Sequence, residues 1–449
     1  MRTASGCPSR TLLGILLLAT TRYAASAQDW ASLTNYSGSL TKMEFVRRLE
    51  SVYCPSLALY DYITWGDNSV SVFSTTKKTA PALLELPFGT NAAPAPAFKT
   101  IDQLRSLHNP SNAPLRGLRI CLDPGHIGGA WARMEERFLV VDRADWFVQE
   151  GALNLLVARL MKSRLEAAGA TVLMTKDDFK PVTAARPDEF KEQAEREIGA
   201  YDKFPDLPDL FHEAARADAV RKRQELLFYR QAEISARARR VNEELKPDLT
   251  LCIHFNATEY SADKKLVVEN GLMFFVHGNY LPDELRDDGQ KFHLLRKLLE
   301  HAHDIELGAA ESIATSMAAE TGLRVIPLSD GGFVSSVGTN DLVYARNLAA
   351  SRQYNGPVVF LEPYFMNNTT VYRRIQLGDY EGTLDVDGRQ VPSIFREYAD
   401  AVADGVIAFY TPLTTLEHSA LNLTSGIHAQ RGVASNRVFC LRGFAIDRM

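Results

Sequence analysis

The stretch CLDPGHIGGA, residues 121–130, decides the fold. It continues an apolar run from Leu118 to Leu122, short enough for a strand buried on both faces, and Pro124 with Gly125 then forces the chain out of the sheet. His126 therefore falls on a loop just past a strand end, which is where open α/β sheets place their ligand sites. By itself such a histidine is commonly only a surface residue, so the rest of the chain has to supply its company.

Working outward, NLLVARLMKSRLEAAG (154–169) carries Leu156, Val157, Leu160 and Leu165 on a stripe shared with Leu153, and ends at Gly169 before the strand-like TVLMT (171–175). That is a βαβ unit, which implies a parallel pair joined by a right-handed crossover. Later come LTLCI before His254, GLMFFVH from Gly271, the helical ELGAAESIATSMAAE, PVVFL before Glu362, and the helical FREYADAVADGVIAFY. The order predicts an α/β domain over 115–411, a mostly parallel sheet with helices on both faces. A small α+β unit at 38–78 precedes it: Thr41 and Glu44 fit a capping box, Phe45, Val46, Leu49, Val52 and Tyr53 share a face, and YDYITW and SVSVF read as strands. Residues 79–114, rich in Pro and Ala at their start, read as a linker, and 412–449 have no periodicity to assign. Two helix-prone insertions, 177–240 and 281–305, exceed what a minimal domain needs; such additions are usually surface decoration and sometimes lids, and the sequence does not decide between them. No internal repeat is present.

The first 27 residues read as a signal peptide. Arg2 and Arg10 precede the apolar TLLGILLLAT, and Ala25-Ser26-Ala27 offers a cleavage site. The run is too short for a stable membrane span, so an exported chain, periplasmic or extracellular, is expected. Without that segment the charge balance moves from 50 basic against 55 acidic residues to 47 against 55, about −8, which argues against a nucleic-acid partner. The cysteines Cys54, Cys121, Cys252 and Cys440 are scattered and suit burial better than a disulfide framework.

Three strand ends carry ligand-type side chains: His126, His254 and Glu362. Glu150, just ahead of the helix at Leu153, stands on the same rim. Singly each has an ordinary explanation, such as a helix-start carboxylate favoured by the dipole. Jointly, two imidazoles and a carboxylate suit a catalytic zinc with an open fourth position.

The sequence resembles the zinc-dependent N-acetylmuramoyl-L-alanine amidases. The resemblance rests on LDPGH (122–126), on Glu150 followed by Asn154-Leu155, on IHFNA (253–257) and on LEPYFMNN (361–368), with weaker support from EAAGATVLMTKDD (166–178) and YARN (344–347). It implies that His126, Glu150 and His254 are zinc ligands, that Glu362 is the catalytic acid/base, and that the substrate is the muramoyl–alanine amide of peptidoglycan. Departures are Ile127 and Tyr364 at places usually held by glycine, which implies a narrower groove, and a long 126–150 loop in which Glu135 or Glu136 competes with Glu150 as ligand. Alternative functions are an exported zinc peptidase acting on another amide, and a non-catalytic zinc-containing wall-binding module. No activator protein is readable.

Other histidine motifs carry less. HEAAR (212–216) has Arg216 where a zincin needs its second histidine, and EHAHD (300–304) puts His301 and His303 two apart on a helix. Trp131, Trp146 and Phe147 suit either sugar stacking or loop packing, and His277, His293, His418 and His428 read as ordinary. If the 281–305 insertion is a lid, its apolar face of Phe292, Leu295, Leu298 and Leu299 docks on the domain, and Glu300, His301 or Glu306 reaches the open zinc position.

Overall fold

Three short strands, β1 (Ile63–Trp65), β2 (Ser69–Val72) and β3 (Leu84–Pro87), form an antiparallel sheet near the N-terminal end of this computed structural model. The described residues are 28–141, 147–199, 209–258, 266–330, 332–338 and 340–415. The expected signal peptide and residues 416–449, with Trp146, His418, His428 and Cys440, lie outside them. The third strand comes from the Pro- and Ala-rich stretch, where LELP alternates buried and exposed residues against β2. Helix Lys42–Arg48 begins where Thr41 Oγ1 accepts the Glu44 amide at 3.2 Å, but the Glu44 carboxylate binds Arg47 and Arg48 instead of closing a capping box.

The main sheet has seven strands: β4 (Arg119–Pro124), β5 (Thr171–Met174), β6 (Leu249–Ile253), β7 (Phe274–His277), β8 (Ser335–Val337), β9 (Val343–Arg346) and β10 (Val358–Leu361). Their order is β8-β9-β7-β10-β6-β4-β5. The pairs β4–β5, β4–β6, β6–β10 and β7–β9 are parallel, whereas β7–β10 and β8–β9 are antiparallel. The expected mostly parallel sheet is present, with β7 and β9 running against its main direction. Alternation along each strand serves two cores. Leu249, Leu251 and Ile253 face the helices Glu150–Ala167, His303–Thr321 and Ile394–Thr414, while Cys252, Phe275, Tyr344 and Phe360 share the opposite core with Ala238, Val241 and Tyr354.

The 281–305 insertion is no lid. In helix Asp288–Glu300, Phe292, Leu294, Leu295, Leu298 and Leu299 are buried against Phe45, Leu49, Tyr53 and Phe88 of the N-terminal unit. Arg48 and the Tyr53 hydroxyl donate to the carbonyls of Leu298 and Lys297 at 2.9 and 3.0 Å. Glu306 accepts the Val358 amide at 3.0 Å, at the entry of β10, whereas Glu362 follows its exit. The apolar face read from the sequence is real, but what it covers is the N-terminal unit. Among the described residues no helix is long and apolar enough to cross a membrane.

Candidate metal centre

β4, β6 and β10 run parallel, so their C-terminal ends bring His126, His254 and Glu362 to one rim. Glu150 arrives from the other direction. The short antiparallel ladder of Phe138–Leu139 with Val148–Gln149 turns the chain back, and the Glu150 amide, donating to Arg137 O at 3.1 Å, opens the helix Glu150–Ala167. Gly151 follows because the helix start lies against the His126 loop: a Cβ there would stand 2.6 Å from Gly128 N.

The Glu150 carboxylate is 3% exposed and lies between two imidazoles. Its Oε2 is 3.2 Å from His126 Nε2 and its Oε1 is 3.0 Å from His254 Nδ1. The rings of His126 and His254 are 5.1 Å apart at 85°, and one donor atom from each of the three residues falls within 4.8 Å of the others. Among the described residues this is the one such group of His, Cys, Asp or Glu side chains. Gly125 makes the cradle possible, since a Cβ there would lie 2.1–2.5 Å from atoms of the His254 ring. The donor set of two nitrogens and one carboxylate oxygen fits zinc.

Electrostatics follow from burial. It opposes charge on Glu150, yet the two histidines outweigh it and hold that carboxyl well below its usual range. Burial also opposes charge on His126, but Glu150 and Glu135 outweigh it and push His126 up to about 9. For His254 burial prevails over Glu150 and lowers it. Glu362 is pushed up to about 8 by burial and by the Glu150 charge, against His126, Arg346 and Arg137. Arg137 Nε stands 3.7 Å from Glu150 Oε2.

Several supports were invisible in the sequence. His254 lies flat on Phe360, ring centroids 4.4 Å apart. Arg237, at the end of the 177–240 insertion, is 4% exposed and donates to Asp123 at 2.9 Å, to Pro124 O at 2.8 Å and to His126 O at 2.9 Å, while its Nε holds Glu233 at 2.8 Å. That insertion is thus neither decoration nor lid at this end, because it ties down the loop that carries His126. Asp123 was in view in the opening stretch, but Arg237 was one arginine among several in ISARARRV. Asn154 donates to Gly125 O at 3.0 Å.

The two residues at glycine places do not narrow a groove. Ile127 is buried with Phe228, Tyr229 and Trp131, and Tyr364 is buried against Phe255 with its hydroxyl donating to Glu397 at 2.7 Å. Trp131 packs on Phe228 with ring centroids 5.0 Å apart and Phe147 on Phe138 at 5.0 Å, both tilted, the packing alternative for each. Glu135 lies beside His126 Nδ1, outside the converging donor group. Among the described residues His301 and His303 join no metal group either. His301 ends the helix Asp288–Glu300 in a left-handed conformation, with its ring 3.6 Å from Asp304.

The fold and this donor set define a mononuclear metal-site enzyme of the α/β class. The chain belongs to the N-acetylmuramoyl-L-alanine amidase family, whose sequence model matches residues 120–385. Membership makes it a zinc-dependent hydrolase of the amide between N-acetylmuramic acid and L-alanine in peptidoglycan. Similar solved structures include the apo form of the amidase Ami1 from Mycobacterium abscessus, 16% identical, covering 66% of this chain and 99% of that one, with a TM-score of 0.32. The CwlD amidase from Clostridioides difficile is 13% identical over 66% of this chain and 100% of that one, TM-score 0.34. The catalytic domain of CwlV from Bacillus (Paenibacillus) polymyxa is 15% identical over 65% and 97%, TM-score 0.31. No curated protein matches the chain.

Proposed function

We propose that His126, Glu150 and His254 hold the zinc and that Glu362 moves the protons of the reaction. Zinc, when bound, supplies a polarised water near neutral pH and an electrophile for the carbonyl oxygen. Glu362 takes a proton from the attacking water as its oxygen bonds to the lactyl carbonyl carbon. It returns that proton to the L-alanine nitrogen as the C–N bond breaks, so one carboxyl serves as base and then acid. The observation that carries this reading is the position of Glu362: a half-buried carboxyl just after β10, close enough to Glu150 to feel its charge, and pushed up to about 8. A carboxyl near neutrality can both accept and release a proton.

A catalytic domain at 115–411 preceded by a small N-terminal unit, the 38–78 unit extended by the strand Leu84–Pro87, belongs to the same proposal, as does an exported location, periplasmic or extracellular, to which residues 1–27 would direct the chain. The test is mass analysis of fragments released from purified sacculi. The parent should release peptides beginning with L-alanine and leave glycan strands whose N-acetylmuramic acid carries a free lactyl carboxylate. Glu362→Ala should keep about one zinc and lose on the order of 10²- to 10⁴-fold in turnover. Near-normal amide cleavage by Glu362→Ala would remove its assigned role, and cleavage of other peptide bonds in place of this one would remove the substrate.

A further inference from the structure

The loop that presents His126 is conformationally demanding. His126, Gly128 and Gly129 have φ of 60°, 78° and 60°, in the left-handed region that only glycine adopts without cost. One carboxylate clamps its amides. Glu135 is 2% exposed, and its two oxygens accept the Ile127 amide at 2.9 and 3.0 Å and the Gly128 amide at 3.1 Å. The same group lies 3.6 Å from His126 Nδ1, an ion-pair distance, while the other ring nitrogen, Nε2, lies 3.2 Å from Glu150. The two carboxylates therefore flank opposite nitrogens of one imidazole. Lys176 also reaches the loop, donating to Ile127 O at 3.4 Å.

A neutral imidazole has one protonated nitrogen and one lone pair, and only the lone pair can bind a metal. A carboxylate beside Nδ1 favours the proton there and leaves Nε2 facing the donor group, as outer carboxylates do for metal-bound histidines elsewhere. We propose that Glu135 is a positioning residue for zinc: it holds His126 in the Nδ1-protonated form with Nε2 turned to the metal position, through the same carboxylate that clamps the loop amides. This rests on the reading of His126 as a ligand. It gives Glu135 a role other than the competing ligand that the sequence left open.

The test is zinc affinity of the full chain by competition with a chelating chromophore, together with the imidazole nitrogen resonances of the metal-free protein with His126 in its neutral form. Glu135→Gln keeps an oxygen to accept from Ile127 and Gly128 but loses the charge beside Nδ1. Zinc affinity should fall about 10- to 100-fold, and the neutral His126 of the metal-free variant should lose its bias towards the Nδ1–H tautomer. If Glu135 only clamps the loop, Glu135→Gln will bind zinc within twofold of the parent, and that result overturns the proposal. Should the Gln variant fail to fold, the metal-free parent decides it: a neutral His126 carrying its proton mainly on Nε2 overturns the proposal. His126→Ala separates the two readings. If it retains full zinc affinity, the ligand assignment itself fails; if it loses zinc while Glu135→Gln does not, only the role of Glu135 fails.

Discussion

The ring of His254 lies on the ring of Phe360, with centroids 4.4 Å apart and planes within 18° of parallel. Phe360 is two residues before Glu362 on β10 and is paired across the sheet with Phe275, so one strand supplies both the floor beneath a metal-facing imidazole and the acid beside it. Phe360→Leu keeps apolar volume and removes the flat surface. Such ring contacts contribute about 0.5–1.5 kcal/mol, so zinc affinity should fall about 2- to 10-fold. Chelator competition measures this, and an unchanged affinity would show that the stacking positions nothing.

Gly125 offers a sharper test. Because a Cβ at this position would lie 2.1–2.5 Å from three atoms of the His254 ring, Gly125→Ala must displace that ring or the loop. Zinc content of the purified variant, measured by atomic absorption, should drop from about one per chain to a small fraction. The circular dichroism of the folded domain should be unchanged. A fully zinc-loaded Gly125→Ala protein would mean that the two elements slide apart at no cost.

Arg237 is the mechanical link between the 177–240 insertion and the centre. Its guanidinium bridges the buried carboxylates of Asp123 and Glu233, and Thr175 and the Tyr354 hydroxyl complete the Asp123 shell at 2.5 and 2.6 Å. Arg237→Met strands two buried carboxylates, which costs about 3–5 kcal/mol. Urea unfolding of the metal-free protein should show that loss, with Arg237→Lys recovering only part of it, since a point charge cannot span Asp123, Glu233 and two carbonyls. Loss below about 1 kcal/mol would mean that the network is dispensable.

What the sequence disclosed follows from what it repeats. Strand runs such as LTLCI and PVVFL, buried on both faces, and the turn at Pro124-Gly125 are local signals, and they put His126, His254 and Glu362 on one rim without any knowledge of the neighbours. The reversed direction of β7 and β9 was not legible, because an apolar strand reads the same either way. Phe292, Leu295 and Leu298 announced an apolar face correctly, but amphipathicity does not name a partner, and the face meets Phe45 and Leu49 rather than the metal rim. Ile127 shows the same limit: its size was visible, whereas its direction toward Phe228 depended on an insertion 100 residues away in sequence.

The docking of helix Asp288–Glu300 has its own consequence. Leu298, on this helix, is fully buried against the N-terminal unit, so Leu298→Ala should cost about 2–5 kcal/mol in urea unfolding. Deleting 282–304 removes one wall of that core and is expected to yield protein that is less soluble and no faster on sacculi. A folded, zinc-loaded deletion that cleaves clearly faster than the parent would restore the lid.

Acid stability gives the last expectation. His277 is fully buried, with Ser351 and the Tyr280 hydroxyl at its ring nitrogens, and burial followed by the charge of Lys297 lowers it well below the usual histidine range. His293 is lowered to about 2 by burial and by Arg296 and Arg352, and its Nδ1 has no hydrogen-bond partner. In the unfolded chain both would titrate near 6.5. Between that value and the depressed folded value the unfolded state binds more protons, so stability is full above about pH 6.5 and falls as pH drops, by about 1.4 kcal/mol per unit for each histidine. His293→Leu removes one such group without breaking a bond at Nδ1. Urea unfolding of the metal-free parent and variant from pH 7 to 4.5 should show the variant losing about 2–3 kcal/mol less than the parent over that range. Parallel curves for the two proteins would mean that His293 is protonated in the folded state.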